Sequence, residues 1–234
     1  VAEQAYAAAA AAFQAGRLDE AEARLAPFLR SDYPDARLHG LAGFVRRRTG
    51  DAAGCEVALK RARDLAPSEI VYPLALADLY RVMGRHAEAE AAYLDVLRRD
   101  SRHRAALVGL TQVATTPERL AEAVKTMAAL VAGGDRDHAL LVGLAAAYEA
   151  MRRPEDALNT YRLAADAHPR SGVAQHNLAA AYAETLEFAA SLAAADAAMR
   201  LGQNGQATWL VKARALQGLN RLDEAEAAFC EALA

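Results

Sequence analysis

The sequence predicts an all-α protein, an α-solenoid of seven helix-turn-helix hairpins forming a single domain over residues 1–234. Three observations predict it. Similar residues return every 34 positions, with no insertion or deletion along the chain. Within each period the apolar residues follow i, i+3, i+4, i+7, the spacing of one helical face. The composition favours helices, because Ala makes up about a quarter of the residues and loses no side-chain entropy on becoming helical.

The hairpins start near Ala2, Ala36, Ile70, Arg104, His138, Gly172 and Gln206, the last being truncated. One hairpin cannot bury its apolar face alone, so stacked neighbours share a continuous core. Columns of the repeat show where helices touch. The eighth place is small in every hairpin: Ala9, Gly43, Ala77, Thr111, Ala145, Ala179 and Ala213. The twentieth is also small, from Ala21 and Cys55 through Ala89, Ala123, Ala157 and Ser191 to Ala225. Larger residues fill the twenty-fourth place: Leu25, Leu59, Tyr93, Met127, Tyr161 and Phe229, with Ala195 as the exception.

Each element follows in order. Hairpin one turns at Gly16 and carries Pro27 in its second helix, which is expected to kink or shorten it. Hairpin two turns at Gly50, where Gly tolerates positive φ, and its second helix exits at Pro67. Hairpin three turns at Gly84, and His86 opens the helix that follows. Hairpin four has the loosest pattern, with Thr115 and Glu118 at capping-box spacing around Pro117. Hairpin five has Leu141, Leu144, Ala145 and Tyr148 on one face, then Pro154 placed to begin the second helix and Pro169 to mark its exit. Hairpin six keeps the register through Leu178, Ala179 and Ser191. Hairpin seven is the most regular: Trp209, Ala213, Leu216, Asn220, Leu222-Asp223-Glu224-Ala225, Phe229 and Ala232.

These residues resemble the tetratricopeptide repeat (TPR) family over nearly the whole chain. The resemblance implies a right-handed superhelix whose first helices line a concave trough. Such a trough suits an extended peptide or a helix of a partner protein. Places two, five, six, nine, twelve and thirteen face the trough in this family. Carried onto this sequence, they select Tyr6, Phe13, Arg37, Leu41, Phe44, Arg47, Leu74, Asp78, Arg81, Gln112, Glu149, His176, Asn177 and Arg214 as a partner-binding groove. Two ligand codes of the family are missing. The Lys and Asn set that clamps a C-terminal carboxylate does not occur at these places, and of an Asn ladder at place six only Asn177 is present.

No catalytic constellation stands beside the repeat. There is no HExxH, phosphate loop, GxGxxG or GxSxG, so neither cofactor nor metal is expected. His86-Ala87-Glu88 reads as an exposed helix start, and Asp135, Asp137 and His138 as N-terminal capping. Arg46-Arg47-Arg48 reads as a solvated helix end. Cys55 and Cys230 read as buried free thiols. A net charge of −3 gives no reason to expect nucleic acid. No stretch approaches the ~20 apolar residues that span a bilayer, so a cytoplasmic protein without membrane insertion is expected. The chain begins without Met, and Ala225, Phe229 and Leu233 leave a bare stripe on the last helix. A further helix, a domain or another molecule is expected to cover that stripe. The expected function is a protein-interaction scaffold. The alternative is a substrate-recruiting domain of a larger bacterial modifying enzyme, since the sequence looks like the Ala/Arg-rich arrays that precede glycosyltransferase, sulfotransferase or Fe(II)/2-oxoglutarate oxygenase domains.

Overall fold

The computed structural model describes residues 1–233, which form fourteen α-helices and, among the described residues, no strand. They are α1 (Ala2–Gln14), α2 (Leu18–Arg30), α3 (Ala36–Thr49), α4 (Ala52–Leu65), α5 (Val71–Val82), α6 (His86–Arg99), α7 (Arg104–Val113), α8 (Pro117–Ala132), α9 (His138–Ala150), α10 (Pro154–Ala167), α11 (Gly172–Glu184), α12 (Phe188–Arg200), α13 (Gln206–Gly218) and α14 (Leu222–Leu233).

Local chemistry sets the helix boundaries. Side chains at the N-caps accept the free N–H groups of the first turn. Asp35 accepts from Arg37, Asp51 from Gly54, Asp137 from Leu140 and Ser171 from Ala174, at 2.8–3.1 Å. The turn inside six of the seven hairpins has one left-handed residue at the fifteenth place. Gly16, Gly50 and Gly84 supply it, and in later hairpins Arg152, Leu186 and Asn220 do so at φ 58°, 64° and 59°. Hairpin four has no such residue. Its second helix instead starts early, at Pro117, whose ring presets the helical φ.

The chain divides into two compact bodies, Val1–Pro117 and the residues from Glu118 onward. In the N-terminal body each helix packs on the next, and first helices of neighbouring hairpins also touch, α1 with α3 and α5 with α7. One core cluster gathers Ala9, Ala12, Ala21, Leu25, Leu38, Leu41, Ala42, Val45 and Ala58, with Tyr6, Phe13 and Phe28 packed against it. Glycine allows the closest approaches. A Cβ on Gly43 would lie 2.6 Å from Leu59 Cγ, and one on Gly109 would lie 2.1 Å from the Tyr93 ring. In the C-terminal body α9 through α14 pack in sequence, and α11 also touches α13. Leu140, Leu141, Leu144 and Leu158 are buried there, and Ala213, Leu216, Ala225 and Ala228 pack with Trp209 in a terminal cluster.

Pro27 lies inside α2, which runs to Arg30 and ends one place short of where α4, α6 and α10 end in the same register. The bond that Pro27 cannot make would have used the carbonyl of Ala23, an exposed residue. Two local expectations are corrected. Thr115 is not the cap of α8, because the helix begins at Pro117 and the Thr115 N–H is taken by the Glu90 carboxylate at 2.6 Å. Cys230 is exposed on α14, whereas Cys55 is buried in α4. On the last helix Ala225 is buried against α13, while Phe229 is 36% and Leu233 82% exposed.

Candidate functional site

In the N-terminal body the first helices build a recess. Tyr6 comes from α1, Arg37, Gly40, Leu41 and Phe44 from α3, and Val71 and Tyr72 from α5. Together they line a cavity of about 190 Å³. Tyr6, Phe44 and Val71 leave part of their apolar surface uncovered, while Leu41 and Tyr72 are buried and form its base. Arg37 stands at the edge, with its guanidinium 5.1 Å from the Tyr6 ring centroid and hydrogen bonds to Glu3 and Asp35. Those two carboxylates hold Arg37 fully charged, and Arg37 in turn lowers the Asp35 carboxyl below the usual range. The recess is thus apolar on its walls, with Arg37 at one edge already paired to two carboxylates.

Of the groove residues expected from the repeat, Tyr6, Arg37, Leu41 and Phe44 meet here. The rest of that set is distributed differently. Phe13 lies under Arg48, 5.0 Å from its guanidinium, and Arg48 also donates to the Phe13 carbonyl at 3.1 Å. Arg46 is drawn to Glu22 at 2.6 Å, so of the three consecutive arginines Arg47 alone is exposed without a hydrogen bond or ion pair among the described residues. Leu74 is half-buried, and Gln112 is exposed. Asp78 and Arg81 are engaged within the fold. The fully buried Tyr93 donates to Asp78 at 2.6 Å and accepts from Arg81 at 3.3 Å. Burial and the adjacent Asp78 carboxylate raise the Tyr93 hydroxyl far above its ordinary pKa.

In the C-terminal body Glu149, His176, Asn177 and Arg214 occupy α9, α11 and α13. His176 Nδ1 lies 3.0 Å from the buried Thr208 hydroxyl, and burial holds the imidazole below the usual His range. Their hydrogen bond ties α11 to α13. Arg214 pairs with Glu184 at the end of α11, and Asn177 is half-buried. Glu149 lines a second cavity, of about 600 Å³, with Arg152, Pro154, Ala157, Ala180, Ala181 and Glu184.

Tyr72 is the residue of the first recess that the repeat columns overlook. A signal for it was present in Gly40, a glycine inside a helix where it disfavours the helix by about 1 kcal/mol. A Cβ there would lie 2.4 Å from the Tyr72 ring, so Gly40 exists to admit it. Among the described residues no group of three His, Cys, Asp or Glu side chains is placed to hold a metal ion. No described helix is long and apolar enough to cross a membrane.

The tetratricopeptide repeat family's sequence model matches residues 74–103 and 206–234, which are hairpins three and seven. No curated protein sequence matches the chain. Among solved structures, a tetratricopeptide repeat protein from Parabacteroides merdae superposes with a TM-score of 0.75 at 14% identity, covering 99% of this chain and 98% of its own. The Pseudomonas aeruginosa pilF protein gives 0.67 at 17% identity, covering 83% and 88%. YrrB, described as a TPR protein with an unusual peptide-binding site, gives 0.54 at 17% identity, covering 75% and 96%. At these identities the likeness is one of fold. Two hairpins are matched by the family's own sequence model, and the chain shares one 34-residue register and its fold with solved tetratricopeptide repeat proteins.

Proposed function

We propose that this chain is a protein-interaction module that binds a polypeptide segment of its partner by seating an apolar side chain in the recess of α1, α3 and α5. The observation that carries this reading is the recess itself: uncovered aromatic and apolar walls around about 190 Å³, with Arg37 at the edge. Its volume is below the roughly 300–1,000 Å³ of small-molecule pockets, which favours one anchoring side chain over a metabolite. Aromatic and Arg residues around such a recess are the residue types that dominate binding energy at protein interfaces. A solved structure of the same fold carries a peptide-binding site, which agrees with this reading.

The test is selection of peptides from a random library on the wild-type chain, followed by affinity measurement on the Tyr6→Ala/Phe44→Ala double variant. The expected result is selected peptides sharing an apolar anchor, bound at least about tenfold more weakly by the double variant. Unchanged affinity in a variant with an intact helical melting transition would overturn the reading.

A further inference from the structure

Hairpins three and five share a buried tyrosine at the twenty-fourth place, and they treat it differently. In hairpin three, Tyr93 donates to Asp78 at place nine, and Arg81 at place twelve lies 3.3 Å from the phenol oxygen and 3.8 Å from the Asp78 carboxylate. Phenol, carboxylate and guanidinium form a closed, neutralised set. In hairpin five, Tyr161 is 5% exposed and donates to Glu149 at 3.4 Å. Here place nine is Ala146, and Glu149 itself occupies place twelve, where the cation stood in hairpin three. The carboxylate has no cation on it.

Glu149 also stands at an unfavourable end of its helix. It precedes the last residue of α9, and Glu184 is the last residue of α11. Neither helix has a basic residue in its last turn, so two negative helix ends face the same region as two carboxylates. Arg214, from α13, neutralises Glu184. Arg152 lies on the rim, in a left-handed conformation at φ 58°, and bonds neither carboxylate among the described residues. Glu149 therefore remains the unneutralised group. One side of it rests on Tyr161, and the other opens into the cavity of about 600 Å³, which is roomy because Ala157, Ala180 and Ala181 line it. Glu149 is an exposed residue, yet partial desolvation of its carboxyl and the nearby Glu184 raise it above its usual range. A cation arriving from outside would reverse that shift.

We infer that the cavity between α9, α10 and α11 receives one basic side chain, Lys or Arg, of a partner polypeptide, with Glu149 as its counter-ion. The inference rests on the polypeptide-binding reading above and adds the chemistry of a second anchor. The bound cation would take the place that Arg81 takes in hairpin three. The floor of alanines would accept its aliphatic stem, and the helix ends would favour its charge.

The same library selection tests this, with two further variants. Glu149→Gln keeps the size of the side chain and its bond to Tyr161 while removing the charge. Ala146→Asp/Glu149→Arg rebuilds the internal set of hairpin three around Tyr161. Peptides selected on the wild type should carry a Lys or Arg. They should bind Glu149→Gln about tenfold more weakly and lose measurable binding to the double variant. The double variant should melt no lower than the wild type, because its new charges are paired. Selected peptides without a basic residue, or equal affinity for Glu149→Gln, would overturn the inference. Should those same peptides still weaken on Tyr6→Ala/Phe44→Ala, the interaction reading survives alone. A library that yields no binder at all overturns both.

Discussion

Tyr93 is a phenol enclosed between Asp78, Arg81 and the bare backbone of Gly109. Tyr93→Phe removes a 2.6 Å hydrogen bond to a carboxylate and should cost about 1–2 kcal/mol in urea unfolding. Gly109→Ala should cost about 1–3 kcal/mol, because the new Cβ must displace a ring that has nowhere to go. The tyrosines also set an alkaline limit. Burial raises the pKa of Tyr72, Tyr80, Tyr93 and Tyr161 in the folded chain. Above their ordinary value of 10.0 the unfolded chain loses these protons while the folded chain keeps them, so stability falls as pH rises. A Tyr93→Phe/Tyr161→Phe variant should show a shallower alkaline fall, measured by urea midpoints between pH 8 and about 11. Glu56 acts in the opposite direction. Arg85, Lys60 and Tyr80 hold its pKa at about 2, so its contribution is complete above pH 4.5 and is lost as pH falls toward 2. Glu56→Gln should remove part of the acid-side loss.

At the scale of the element, the turn and the cap repeat with the period. Place fifteen is left-handed in every hairpin but the fourth, and in hairpin six it falls on Leu186, 67% exposed. A leucine there bears the steric strain that glycine avoids and buries little in return. Leu186→Gly should therefore raise stability by about 0.5–1 kcal/mol in urea unfolding, the relief of strain exceeding the entropy of the glycine. Place sixteen is the helix N-cap, and Arg there pairs with an acid three residues on: Arg17 with Glu20, Arg85 with Glu88, Arg153 with Asp156 and Arg221 with Glu224. The acids also favour the positive end of the helix. Exposed pairs of this kind contribute little. Arg85 differs because it also bonds Glu56 and stacks 4.4 Å from the Tyr80 ring. Arg221→Ala should leave the melting temperature nearly unchanged, whereas Arg85→Ala should lower it clearly. Equal effects would show that the Glu56 network adds nothing beyond the surface pair.

At the scale of the molecule, α1 to α7 in one body and α9 to α14 in the other each meet their neighbours in sequence. Stability in such a row is carried by each hairpin and its adjoining faces. Leu59→Ala should open a cavity costing about 2–5 kcal/mol. Faster hydrogen exchange should concentrate in α3, α4 and α5, the helices around that gap. Phe229 offers the reverse case. Its column is buried at Leu25, Leu59, Tyr93, Met127, Tyr161 and Ala195, yet Phe229 is 36% exposed. Its truncation removes surface that water already reaches and should cost much less than Leu59→Ala.

The period, the helix spacing, the glycine turns of hairpins one to three and the small and large columns were all legible in the chain alone, whereas the left-handed Arg152, Leu186 and Asn220 were not. They follow from backbone sterics and from burial, which act locally and recur with each hairpin. Much of the candidate groove was legible only as a set of places. The fold decided which of those side chains came together and which were engaged within the fold. It joined Tyr6, Arg37, Leu41 and Phe44 around Tyr72, committed Asp78 and Arg81 to Tyr93, and left Glu149 open beside its cavity. The physical reason is one of distance. Whether a charge finds its counter-ion depends on side chains brought together from different helices, such as Arg214 and Glu184, thirty residues apart. No local periodicity encodes that meeting, and only the packed tertiary structure brings it about.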